Sequence, residues 1–151
     1  MAQSDKRVLV LNGPNLNLLG TREPDVYGST TLQDIEQALQ SLGQQLGATV
    51  DCRQSNVEGQ LIDWLHEGRD TFDGVVINPG GLTHTSVSLR DGISASGLPT
   101  VEVHISNTAA RESFRHKSLV AAVCIGSVIG FGKHSYTLGL RALIDYLNAA
   151  A

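Results

Sequence analysis

Two short runs constrain this chain more than anything else in it. RVLVLN at residues 7–12 and GVVIN at residues 74–78 are rich in Val, Leu and Ile without polar alternation, and each stops at an asparagine followed by glycine and proline. A strand with no polar face is buried on both sides, which is the usual condition of strands in parallel sheets covered by helices. The period changes between the two runs. Thr30 and Gln33 resemble a capping box, and Leu32, Ile35, Ala38, Leu39, Leu42 and Leu46 recur at helical spacing until Gly47. Ala48, Val50 and Cys52 then alternate as a second strand, and Val57, Leu61, Ile62 and Leu65 mark a helix that stops near Gly68. After the third strand, the pattern predicts a helix over 85–96, a fourth strand over 100–105, a fifth over 119–125 and a closing helix over 136–147. Strand and helix alternate throughout, which predicts one α/β domain over residues 1–151. Its expected architecture is flavodoxin-like, a five-stranded parallel sheet of order 2-1-3-4-5 with helices on both faces.

Composition narrows the function. A chain of 151 residues with 41% hydrophobic positions suits one compact domain that buries roughly two-thirds of its unfolded surface. A formal charge of -4 argues against a general nucleic-acid or membrane-surface binder, since both reward a basic excess. No run approaches the roughly 20 apolar residues of a membrane span, and the polar N-terminal residues lead into no apolar leader segment, so a cytoplasmic protein is expected. Cys52 and Cys124 sit in apolar, strand-like segments with no second Cys or His at ligand spacing, and are read as buried, inert thiols.

In open parallel sheets ligands bind beyond the carboxyl ends of the strands. Strand one is followed there by Asn12, Asn15 and Asn17, then by Arg22 and Tyr27, in the one long loop that adjoins an obvious strand end. The asparagines also suit plain turns, because Asn tolerates left-handed backbone. Strand four is more informative. In VEVHIS at residues 101–106, alternation puts Glu102, His104 and Ser106 on one face. Three polar groups on a strand buried from both sides are costly unless they bond one another or a ligand. Glu102 beside His104 can fix the tautomer and favour the protonated ring, which suits a proton donor; a satisfied core histidine is the plain alternative. Strand three ends in Asn78, the Gly80-Gly81 pair and His84. Arg111 and Arg115 lie one helical turn apart and could grip a small oxyanion or simply face solvent. Gly126, Gly130 and Gly132 fit neither the dinucleotide nor the phosphate-loop pattern and are read as a tight strand-to-helix connection.

LNGPNLNLLGTREPDVYG at residues 11–28, NPGGLTHTS at 78–86, EVHISN at 102–107, RESFRHKS at 111–118 and the closing GFGKHSYTLGLRAL together resemble the type II 3-dehydroquinate dehydratases. Five motifs in order span nearly the whole chain. The resemblance implies an enzyme that converts 3-dehydroquinate to 3-dehydroshikimate by anti elimination through an enolate, with no metal or organic cofactor. It implies that Tyr27 is the base, that Arg22 stabilises the transition state and that Asn15 helps hold the enolate oxygen; a phenol titrates near 10, and Arg22 and Arg111 are the cations the sequence offers to favour its ionised form. His104 is then the acid that protonates the departing hydroxyl, oriented by Glu102. Asn78, His84, Arg115 and the Ile105-Ser106 backbone are implied to bind the substrate. Asp91 is implied to reach a neighbouring subunit's site, in a homododecamer built of trimers.

The type I enzymes reach the same product through a lysine Schiff base on a barrel of about 250 residues. This chain is too short for that fold, and its only lysines, Lys6, Lys117 and Lys133, lie outside strand interiors. The competing expectation is a non-catalytic flavodoxin-like binding or receiver module. It would want an acidic cluster or a hydroxyl-rich phosphate loop after strand one, where the sequence has Asn, Pro and Leu.

Overall fold

The computed structural model describes residues 5–21, 25 and 28–150. Five strands, β1 (Lys6–Asn12), β2 (Ala48–Gln54), β3 (Gly74–Asn78), β4 (Thr100–His104) and β5 (Gly126–Ile129), form one all-parallel sheet in the order β2-β1-β3-β4-β5. Helices α1 (Leu32–Gln45), α2 (Glu58–Gly68), α3 (Val87–Ser96) and α4 (His134–Ala150) cover it. The expected flavodoxin-like topology is the one observed.

Alternation along the strands divides the core into two layers. Val8, Val10, Val76, Val101 and Val103 point toward α1 and α4, meeting Ile35, Leu39, Leu140 and Leu143. Leu9, Leu11, Val75 and Ile77 point the other way, against Leu61 and Leu65 of α2 and Leu89 and Ile93 of α3. Every residue of β3 and β4 is buried, which is why their sequences carry no polar stripe except where a polar group has a partner.

Several local expectations need correction. The box that starts α1 is Thr31 with Asp34, not Thr30 with Gln33: the Thr31 hydroxyl accepts from the Asp34 N–H, and the Asp34 carboxylate accepts from the Thr31 N–H. The segment 119–125 is not the fifth strand. It crosses toward the sheet edge through a 3-10 turn, Ala121–Val123, and its apolar character comes from burying Val120 against the α2/α3 layer. The strand proper follows at Gly126, is mostly exposed along its length, and so carries no burial signal. Cys124 therefore lies in a loop, while Cys52 lies in β2 as expected. Both are free and part-buried, and burial first, then neighbouring carboxylates, pushes each thiol up to about 12. Helix α4 begins two residues before the expected start and runs to Ala150.

Candidate active site

The order of strands reverses between β1, which turns outward to β2, and β3, which leads on to β4. At the carboxyl ends of these strands the connections diverge and leave a cavity of about 120 Å³. Its lining brings together Asn15 after β1, Asn78 and His84 after β3, and Ile105, Ser106, Arg111 and Arg115 after β4, with His104 at the end of β4 itself. Seven of the twelve residues implicated by sequence converge there besides His104. Glu102 lies beneath, bonded to His104. Asp91 is exposed on α3 and does not line the cavity of its own chain. Arg22 and Tyr27 lie outside the described residues.

The turn after β1 is held by unusual backbone. A Cβ on Gly13 would run into the Pro79 carbonyl, so only glycine lets the β1 and β3 connections touch. Asn15 is the one non-glycine residue with positive φ among those described, at 72°. Its N–H donates to Asn56 Oδ1 at 2.9 Å, and Gln54 Nε2 donates to the Gly13 carbonyl at 3.2 Å. The end of β2 thus braces the turn, a role the sequence did not disclose. Asn15 makes the turn that its residue type suits, and that left-handed backbone sets it in the cavity wall.

Beneath the cavity, on the α1/α4 face, lies a neutral network. Tyr136 of α4 is fully buried; its hydroxyl donates to Asn12 Oδ1 at 2.6 Å and accepts from Asn78 Nδ2 at 2.9 Å. Asn78 Oδ1 in turn accepts from the Gly80 N–H at 3.1 Å. Each orientation dictates the next: the Gly80 donor fixes which side of the Asn78 amide is oxygen, hence that its nitrogen meets Tyr136, hence that Tyr136 donates onward to Asn12. The Asn12 nitrogen is left buried with no partner among the described residues. Burial holds the Tyr136 phenol well above its ordinary range, so this group stays neutral. Sequence reading missed Tyr136, whose phenol looks like any core aromatic on an amphipathic helix.

On the opposite face the polar groups are ionic. His104 Nε2 meets Glu102 Oε2 at 2.6 Å, with the histidine 6% exposed and the glutamate not at all. Glu102 Oε2 also accepts from Ser118 Oγ at 2.9 Å, and its Oε1 from Ser127 Oγ at 3.0 Å. Burial pushes this carboxyl up, but the His104 hydrogen bond and charge and the two serine hydroxyls outweigh it and leave it below the usual carboxylate range. The imidazole keeps Nδ1 for the cavity. His84 stacks beside it with ring centroids 6.5 Å apart, and its Nδ1–H donates to the Lys117 carbonyl at 2.8 Å.

Arg111 and Arg115 belong to separate 3-10 turns rather than to one helix, yet both face the cavity. They share exposed Glu112: Arg115 Nε lies 2.9 Å and Arg111 Nε 3.6 Å from its Oε1. The Arg111 guanidinium also donates to Ser106 Oγ at 3.3 Å. Both guanidinium groups line the cavity, with this exposed carboxylate between them. Among the described residues no group of three His, Cys, Asp or Glu side chains could hold a metal ion, and no helix is long and apolar enough to cross a membrane.

A cation-rimmed polar cavity at the switch point of a flavodoxin-like sheet, floored by a buried acid–imidazole pair, defines a site for proton-transfer chemistry on a small anionic ligand. The chain matches the model of the Dehydroquinase class II family over residues 6–144, and it belongs to that family. It is 60% identical over 145 residues to the 3-dehydroquinate dehydratase of Gloeobacter violaceus, covering 96% of this chain and 91% of the relative. The crystal structure of type II dehydroquinase from Propionibacterium acnes superposes with a TM-score of 0.90 at 42% identity, covering 95% of this chain and 99% of that one. The type II dehydroquinase from Butyrivibrio crossotus gives 0.89 at 40% identity, covering 95% and 98%.

Proposed function

We propose that this cavity removes water from 3-dehydroquinate to give 3-dehydroshikimate, as a hydro-lyase of its family, by anti elimination through an enolate. The observation that carries the reading is the buried His104–Glu102 pair on the cavity floor, facing two arginines. Substrate enters as an anion drawn by Arg111 and Arg115, and its carboxylate and hydroxyls are held by Arg115, Asn78, His84 and the backbone of Ile105 and Ser106.

Tyr27, as phenolate, takes the proton from the carbon next to the ketone. A free phenol titrates near 10, so Arg22 and Arg111 are the cations assigned to favour the ionised form. Electron density moves onto the ketone oxygen, where Asn15 steadies the enolate through water. The enolate then collapses to the conjugated enone as the hydroxyl leaves, and His104, protonated and oriented by Glu102, gives it the proton that makes it water. The same reading assigns Arg22 and Tyr27 to a lid over the cavity. In the same reading Asp91, exposed on α3, serves the cavity of a neighbouring copy in a homododecamer of trimers. Membership of the family sets aside the alternative of a binding or receiver module.

The test is an ultraviolet assay for the conjugated enone acid, run on purified protein with 3-dehydroquinate in the presence of borohydride. Product should accumulate without inactivation, and Tyr27→Phe should cut turnover by orders of magnitude while remaining folded. Covalent trapping, or near-normal turnover in that variant, would overturn the assigned chemistry.

A further inference from the structure

Glu102 is an expensive residue to keep. A carboxylate with no solvent exposure must have its lone pairs matched by donors, and one imidazole supplies only one. The remaining two come from serines distant in sequence. Ser127 is the residue paired with Glu102 across β4 and β5, so the pleat puts both side chains on the same face of the sheet, and its hydroxyl reaches Oε1. Ser118 lies in the segment after Arg115, which is fastened to the rest of the fold on either side: Lys117 offers its carbonyl to His84, and Leu119 donates its N–H to the Thr83 carbonyl. Its hydroxyl reaches Oε2, the oxygen that also takes His104.

The division between oxygens matters. A single donor would leave the carboxylate free to rotate about its last bond, whereas donors on both oxygens fix its plane, and with it the direction from which His104 is held. We propose that Ser118 and Ser127 are positioning residues for His104, acting through Glu102. This deepens the assignment of His104 as the acid and rests on it. Neither serine lines the cavity, so neither touches the substrate. Ser118 closes the RESFRHKS motif, whose arginines the proposed reaction uses while leaving this serine idle.

The titratable and charged groups around Glu102 are few. His104 stands on its own strand, His84 stacks on His104, and the Cys124 thiol of the preceding segment is held protonated partly by the Glu102 charge. Arg90 of α3 is engaged with the Leu119 carbonyl at 3.0 Å. With both hydroxyls removed, burial acts on Glu102 with less opposition, so its protonation moves to higher pH. A protonated Glu102 no longer orients a charged imidazole, and the acid limb of turnover moves with it.

The experiment compares Ser118→Ala, Ser127→Ala, the double variant, Ser127→Thr and His104→Gln by steady-state kinetics across pH. Each alanine should lower kcat by about tenfold with KM within about twofold, the double variant more, because misdirecting an acid weakens the transition state rather than substrate binding. The acid limb of kcat should rise in pH for the alanines, and Ser127→Thr, which keeps the hydroxyl, should restore the native profile. Unchanged kcat and an unmoved limb in the single variants, beside a His104→Gln protein that has lost turnover, would overturn the proposal alone. A loss shared equally by kcat and 1/KM with no change in the profile would do the same. Normal turnover by His104→Gln would overturn the role of His104, and the proposal with it.

Discussion

On the α1/α4 face of the sheet the polar groups beneath the cavity are neutral, Asn12, Asn78 and Tyr136, whereas on the α2/α3 face they are an acid and an imidazole, Glu102 and His104. Both clusters are buried, both sit at the carboxyl ends of central strands, and both are bonded to tight distances. They differ in what fixes them. The amide network takes its direction from a backbone N–H at Gly80, which no change of pH alters. The ionic cluster keeps its geometry only while Glu102 is charged. One face therefore suits holding a substrate in place and the other suits moving a proton.

The difference can be broken most forcefully at His104. His104→Gln should reduce kcat by roughly a thousandfold, the usual scale of losing a general acid, with substrate affinity measured by inhibitor titration largely retained. Tyr136→Phe should do something else. It strips the partner from the Asn78 nitrogen and the Asn12 oxygen, both buried, and should cost about 1–3 kcal/mol in urea unfolding. Its activity loss should fall mainly on KM and leave the shape of the pH profile unchanged.

Stability against pH sharpens the contrast. The Glu102 carboxyl is depressed in the fold, so its contribution is present above the ordinary carboxylate range and is lost as pH falls through the lower folded value. The Tyr136 phenol is raised by burial, so its contribution holds up to the ordinary phenol range near 10 and is lost as pH climbs beyond it, where the unfolded chain ionises first. Unfolding followed over pH should show Ser118→Ala losing its deficit relative to native protein in acid, and Tyr136→Phe losing its own in strong alkali. The smallest effect belongs outside both clusters: Thr31→Ala, which removes the α1 capping box, should cost about 1 kcal/mol and leave kcat untouched.

Legibility in the sequence follows the same division. The runs at β1 and β3 and the polar stripe on β4 read directly, because burial on both faces leaves no ambiguity about period, and the stripe at Glu102 and His104 announces itself as a cost needing a partner. β5 is not legible because an exposed edge strand opening on Gly126 has no apolar pattern, while the loop before it does, having Val120 to bury. The capping box slipped by one residue because Thr30 and Thr31 each have a suitable side chain three positions on. The long-range partners were out of reach altogether. Ser118 and Ser127 meet Glu102, and Tyr136 meets Asn12 and Asn78, only once the topology brings segments far apart in sequence to one strand end. The spacing of Arg111 and Arg115 aims them together only if the segment is helical; it is not, yet they converge on the cavity from two separate turns.

The most direct measurement follows which hydrogen leaves. With 3-dehydroquinate carrying deuterium on one face of the carbon beside the ketone, a loop phenolate on one side and the His104 imidazolium on the other predict that the hydrogen opposite the departing hydroxyl is lost, detected by the isotope content of the product. Retention of that hydrogen with loss of the one on the hydroxyl's own face would contradict the two-sided site.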